Sequence, residues 1–212
     1  MIAIRKEEEK DFQTVETLLR KAFYNIYVPG CAEHYLAHVM RGHEDFIPEL
    51  DLVMELDGQI IGSVMYTKAR LVDENGVEKE ILTFGPVCID PKHQRKGYGK
   101  QLLELSFKKA LALGYDTIVI FGDPANYVAR GFQSCKKHQV SLEDGTYPAA
   151  MLVKELIPGV LEGKTWHYFD SQALHIDEKE AEAFEDALEE KMEKKVLPCQ
   201  EVFYILSNAT LS

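Results

Sequence analysis

The chain has 212 residues, 46% of them apolar, which is enough for one domain with a real core and an extension. Its charged start lacks the apolar stretch of a secretory signal, and no apolar run approaches the ~20 residues of a membrane span, so a cytoplasmic protein is expected. The net charge of −11 leaves one local basic cluster and little for nucleic acid to bind.

Residues 2–5 read as a strand and 11–23 as a helix, with Phe12, Val15, Leu18, Leu19 and Ala22 on one face. Residues 52–56 turn through Asp57-Gly58 into 59–71, which is a hairpin pattern. Asp73-Glu74-Asn75-Gly76 is another turn and leads into an apolar strand over 80–89 that ends at the Asp90-Pro91 breaker. The next helix carries Leu103, Phe107, Ala110 and Leu111 at helical spacing and stops at Gly114. A short apolar run, 117–121, is long enough for a buried strand. Beyond Lys154 come Pro158-Gly159, the aromatic stretch Trp166-His167-Tyr168-Phe169 and a strongly charged segment. Asp177 with Glu180 makes a capping-box start for a helix over about 177–195, with Ala181, Phe184, Leu188 and Met192 as its apolar stripe. That stripe predicts either a helix packed on the domain or a homodimer contact.

The most informative run joins the strand to the helix: Val87-Cys88-Ile89-Asp90-Pro91-Lys92-His93-Gln94-Arg95-Lys96-Gly97-Tyr98-Gly99-Lys100. A helix's first turn has unpaired N–H groups and a positive dipole end, and Gly97 and Gly99 remove side chains that would keep a diphosphate from the backbone. From Asp90 to Lys109 there are six Lys or Arg (Lys92, Arg95, Lys96, Lys100, Lys108, Lys109) against Asp90 and Glu104, a basic island in an acidic chain. The Walker pattern is excluded, because Gln101 follows Lys100 where Ser or Thr is needed. A dinucleotide fingerprint is excluded too, since Leu102 stands where its third glycine belongs.

Gln94-Arg95-Lys96-Gly97-Tyr98-Gly99 resembles the acetyl-CoA signature of the GNAT superfamily of N-acetyltransferases, Gln/Arg-x-x-Gly-x-Gly/Ala. About 30 residues on, Gly122-Asp123-Pro124-Ala125-Asn126-Tyr127-Val128-Ala129-Arg130-Gly131-Phe132 is similar to the family's second landmark, a short helix with a tyrosine four residues before Gly-Phe. Asn126 sits directly before Tyr127, whereas many members place an asparagine further upstream to contact the pantetheine arm.

The resemblance implies a mixed α/β (α+β) GNAT fold: a central, mostly antiparallel twisted sheet flanked by helices, with a helical C-terminal extension. Residues 1–154 would be the acetyltransferase domain and 155–212 the extension. It implies an enzyme that uses acetyl-CoA as acyl donor and an amine as acceptor, by direct attack on the thioester. Gln94, Arg95, Lys96, Gly97, Tyr98, Gly99 and Lys100 would hold the pyrophosphate, and the backbone of Val87, Cys88 and Ile89 would pair with the pantetheine like an added strand. A bulge at Gly85-Pro86 would splay the sheet to admit it. An N–H near Val87 or Cys88 would steady the thioester oxygen, and Tyr127 would protonate the departing thiolate. The base is unassigned among Glu33, His34, Glu55 and Asp123. The aromatic stretch at 166–169 is either core or a wall of the acceptor pocket.

Cys31, Cys88, Cys135 and Cys199 are scattered, and the seven histidines lack metal-ligand spacing, so no metal is expected. The alternative is a binding module that keeps the fold and senses acyl-CoA without turnover.

Overall fold

A nine-stranded sheet organises residues 1–212 in the computed structural model. β1 (Ile2–Lys6), β2 (Leu52–Leu56), β3 (Gln59–Asp73) and β4 (Glu78–Ile89) run antiparallel in that order. β5 (Thr117–Phe121) joins β4 in parallel, after the crossover that such a pairing requires, supplied by α3 (Tyr98–Ala112). Of the remaining strands, β6 (Gln133–Ser134), β7 (Val140–Ser141), β8 (Met151–Glu155) and β9 (Trp166–Phe169), β8 lies antiparallel between β5 and β6.

Side-chain alternation gives the sheet two apolar faces. On one, Tyr66, Leu82, Phe84, Ile118 and Ile120 meet Leu102, Leu103 and Phe107 of α3. The buried Tyr66 hydroxyl lies 2.6 Å from Ser106 Oγ and ties α3 to β3. Leu111, expected in this stripe, is exposed, because the buried line runs through 102, 103, 106, 107 and 110 and leaves it at the outer margin. On the other face, Val53, Met65 and Cys88 meet Val15 and Leu19 of α1 (Phe12–Phe23) and Met40 of α2 (Glu33–Met40), a helix that sequence reading did not find.

The feature that makes room for a ligand is a parting of β4 from β5. Their pairing is confined to Leu82 opposite Ile118, although β4 runs on to Ile89. Val64 pairs with Val87 and Tyr66 with Phe84, so β4 carries one residue more than β3 across this interval. The extra residue falls at Gly85-Pro86, where proline has no N–H for the ladder, and the bulge turns the end of β4 away from β5.

In the C-terminal region the aromatic stretch takes one of its two expected roles, and the charged helix is shorter than expected. Trp166 and Tyr168 are buried core, because β9 pairs with both β3 and β7. The charged helix is α5 (Glu178–Ala187) and does not reach 195. Its continuation is captured by the end of α1 and the turn after it: Arg20 donates to Glu190 O at 2.9 Å, Tyr24 to Met192 O at 2.8 Å and Asn25 Nδ2 to Glu193 O at 2.9 Å. A bidentate pair, Arg20 with Glu185 at 2.9 and 2.6 Å, anchors α5 itself. A last helix, α6 (Pro198–Asn208), follows. No helix is long and apolar enough to cross a membrane.

Asp51 gives the fold a pH dependence. It is buried, its Oδ1 has no partner, and burial with the neighbouring Glu7 carboxylate pushes it up to about 9. The folded protein therefore holds a proton that the unfolded chain releases near pH ~4. Stability from this group is complete below that value and declines as pH rises toward about 9. Asp51→Asn is expected to raise the thermal midpoint at pH 8 and leave it unchanged at pH 4; equal shifts at both would contradict a protonated Asp51.

Candidate active site

A cleft of about 500 Å³ opens where β4 and β5 part. Its floor is the end of β4 and one wall is the turn into α3. That turn is built by local bonds. Asp90 Oδ1 accepts from the Lys92 N–H at 2.8 Å, starting a short helical turn over Pro91–His93, and Gln94 Nε2 donates to Ile89 O at 3.0 Å. Arg95 (φ 60°) and Gly97 (φ 85°) then adopt left-handed conformations, which only glycine takes without cost. Left-handed residues in such a turn aim successive N–H groups into one concavity, where an anion fits.

The N–H groups of Tyr98, Gly99 and Lys100 belong to the first turn of α3, where no helical acceptor exists. At Gly99 an added Cβ would meet Ile89 Cγ1 at 3.6 Å, an ordinary contact. Packing therefore does not require glycine there. What its absent side chain provides is open backbone at the cleft.

The strand supplies a second set of donors and acceptors. The Asp90 N–H donates to Ile61 O at 2.7 Å, which fixes the antiparallel alternation. Cys88 consequently directs its backbone to β3, and Val87 and Ile89 direct theirs toward the space β5 has left. This corrects the expectation that all three would present their main chains to a ligand. The Cys88 thiol is buried 3.6 Å from Ser63 Oγ, and burial pushes it up to about 12. A thiol so buried and so firmly protonated is a poor nucleophile.

Gln94, Arg95, Gly97, Gly99 and Lys100 line the cleft with Val87, Cys88 and Ile89. Lys96 and Tyr98 turn elsewhere: Lys96 Nζ donates to Lys92 O at 3.1 Å, and Tyr98 packs against the core beside His93. The opposite wall is formed by Asn126, Tyr127 and Arg130, from α4 (Pro124–Tyr127) and the turn after it. Asp123 caps α4 by accepting from the Ala125 N–H at 2.9 Å. The Tyr127 ring lies 5.8 Å from Phe84 and 5.7 Å from Phe132, and it occupies space that a Cβ on Gly122 would enter. Burial, with smaller contributions from Tyr27 and Asp123, raises the Tyr127 phenol above its ordinary value, so it keeps its proton.

The candidate bases separate clearly. Glu55 is bound by Arg5 at 2.9 and 2.6 Å on β2, near the edge of the sheet. His34 is buried, with Nδ1 3.5 Å from Cys31 Sγ and Nε2 3.1 Å from Glu185, and serves the junction of α2 with α5. Glu33 is half-buried and raised by desolvation. Phe23, Ile26 and Tyr27 also line the cleft, and sequence reading missed them. The available signal was an aromatic pair four residues apart beyond the core stripe of α1.

The model of the acetyltransferase (GNAT) family matches residues 13–135. The uncharacterized N-acetyltransferase YhbS of Escherichia coli K12 is 31% identical over 163 residues, which cover 76% of this chain and 92% of that protein. The crystal structure of Escherichia coli YhbS in complex with CoA has a TM-score of 0.69 at 26% identity and covers 81% of this chain and 91% of its own. A GNAT family acetyltransferase from Brucella melitensis in complex with acetyl-CoA shares the fold, with a TM-score of 0.64 at 21% identity and coverage of 82% and 99%. A family match over more than half the chain, a relative 31% identical across 76% of it and the parted β4–β5 pair lead to one conclusion: the protein belongs to the GNAT family of acetyltransferases.

Proposed function

We propose that the protein transfers the acetyl group of acetyl-CoA to a primary amine of a small molecule or peptide by direct attack. The observation that carries this reading is the meeting, in one cleft, of the N–H concavity at 95–100, the free strand edge at Val87 and Ile89, and the protonated Tyr127. Bound acetyl-CoA supplies an activated acyl group: the amine nitrogen bonds to the thioester carbon, the C–S bond breaks, and a proton lost from nitrogen is matched by one gained at sulfur.

The N–H groups of Tyr98, Gly99 and Lys100, with the charges of Arg95 and Lys100, hold the pyrophosphate. The outward N–H and C=O groups of Val87 and the N–H of Ile89 orient the pantetheine, since Gln94 already occupies Ile89 O. The Val87 N–H also faces the opening and steadies charge on the thioester oxygen. Tyr127 donates the proton to sulfur. In this reading residues 1–154 carry the donor site, and the chain from 155 on contributes to the acceptor side.

Calorimetric titration with acetyl-CoA, CoA and ATP, followed by thiol-release assays on an amine panel, tests the reading. Micromolar acetyl-CoA binding with thiol release on adding an amine is expected. Binding with no thiol release across the panel would favour a non-catalytic acyl-CoA sensor, and heat with ATP alone would overturn both readings.

A further inference from the structure

α6 buries none of its residues, yet Val202, Phe203, Tyr204 and Ile205 stand in its middle. Helices in proteins ordinarily owe their stability to an apolar face packed on the core, and this one is held by its ends instead. At its start Gln200 Nε2 donates to Asn25 O at 3.1 Å, just after α1. Past its end the Ala149 N–H donates to Ala209 O and the Leu211 N–H to Tyr147 O, each at 2.8 Å, immediately before β8. α1 packs on the face of β4 that carries Cys88, and β8 pairs with β5. The two ties of α6 therefore lie on the two sides of the β4–β5 opening. Between them the Phe203 ring stands 4.7 Å from that of Tyr27, which lines the cleft and packs 5.8 Å from Phe23.

We propose that α6 roofs the acceptor end of the cleft, and that Phe203 with Tyr27 selects amines bearing an aromatic group. This rests on the transferase reading above and names its substrate class. The Tyr27 hydroxyl is raised by burial and then by the carboxylates of Glu33 and Asp123, so negative charge gathers on the same aromatic wall. Aromatic faces beside carboxylates attract an ammonium ion, the form in which an aralkyl amine arrives at neutral pH.

A matched pair of probes, 2-phenylethylamine and ethylamine, titrated calorimetrically into CoA-saturated protein and assayed for acetylation, tests the roof. The wild type is expected to bind 2-phenylethylamine about tenfold more tightly than ethylamine, as one aromatic contact provides. Phe203→Ala should abolish most of that preference while leaving ethylamine and acetyl-CoA affinities unchanged, and Phe203→Leu should retain part of it. Phe203 is 38% exposed on a helix without buried residues, so both variants should stay folded, with a thermal midpoint lowered by a few degrees at most through loss of the Tyr27 contact. Equal affinity for the two amines, or a Phe203→Ala variant with unchanged preference, overturns the proposal. So does a variant whose only change is in oligomeric state, which would assign α6 to contact between copies. Binding of 2-phenylethylamine without its acetylation supports the roof and overturns the transferase reading; acetylation of both amines with equal kcat/KM does the reverse.

Discussion

Gly99→Glu is expected to abolish acetyl-CoA binding and leave the protein folded. The residue sits in the first turn of α3 without a left-handed φ, and a Cβ there meets only Ile89 Cγ1 at 3.6 Å. Replacing a helical glycine gains about 0.5–1 kcal/mol of helix propensity, and a carboxylate near a helix N-terminus adds roughly 0.3–1 kcal/mol. Thermal stability should therefore hold or rise. Binding should fail for two reasons. The side chain fills the approach to the first-turn N–H groups, and its charge opposes the pyrophosphate. Like charges about 4 Å apart at an effective dielectric of about 20 cost roughly 4 kcal/mol, close to a thousandfold in affinity. Calorimetry on the variant decides it. Retained micromolar affinity would show that the anion lies elsewhere, whatever else the fold does. Gly97→Ala would be a poorer test, because Gly97 is left-handed and its replacement strains the turn itself.

The turn proposed to hold the donor was legible because its determinants are local. Gly97, Gly99 and the Asp90-Pro91 breaker act within a few residues of where they stand, so the strand, turn and helix from 80 to 112 could be read from spacing. The bulge was equally local, since a proline inside a strand has few places to go. The proposed acceptor side was not legible, because it is assembled from distant segments. Tyr27 meets Phe203 across 176 positions, and nothing near either residue announces the other. The charged segment after 177 failed for a related reason. Asp177 does cap the helix, accepting from the Lys179 and Glu180 N–H groups at 2.8 and 3.0 Å, but the Glu180 carboxylate accepts from Tyr35 instead of closing a box, and Leu188 and Met192 of the expected stripe lie past the helix end. Past Ala187 the chain is instead bonded to Arg20, Tyr24 and Asn25, partners that a local pattern does not contain. Cys88 illustrates the finer limit. Its place in the strand was readable, but the direction of its backbone depends on register with β3, which follows from the pairing of Asp90 with Ile61.

Tyr127→Phe separates chemistry from packing. Every contact that holds the ring, the Phe84 and Phe132 edges and the fit over Gly122, is a carbon contact that phenylalanine keeps. Fold and acetyl-CoA affinity should be unchanged. Only the phenolic proton is lost, and general-acid catalysis of this kind contributes about 100-fold or more to turnover. kcat should fall by that factor with the KM for acetyl-CoA unaltered, the signature of an interaction made in the transition state alone. The pH profile adds a second check. Burial raises Tyr127 above its ordinary value of ~10, so the acid stays protonated throughout the working range. Rates should climb with pH as the acceptor amine loses its proton, with no alkaline fall caused by Tyr127 below pH ~10. A descending limb near pH 8 that disappears in Tyr127→Phe would mean a phenol far more acidic than its buried position allows. An unchanged kcat would return Tyr127 to the core as an aromatic ring whose hydroxyl is incidental, and the thiolate would then leave without its help.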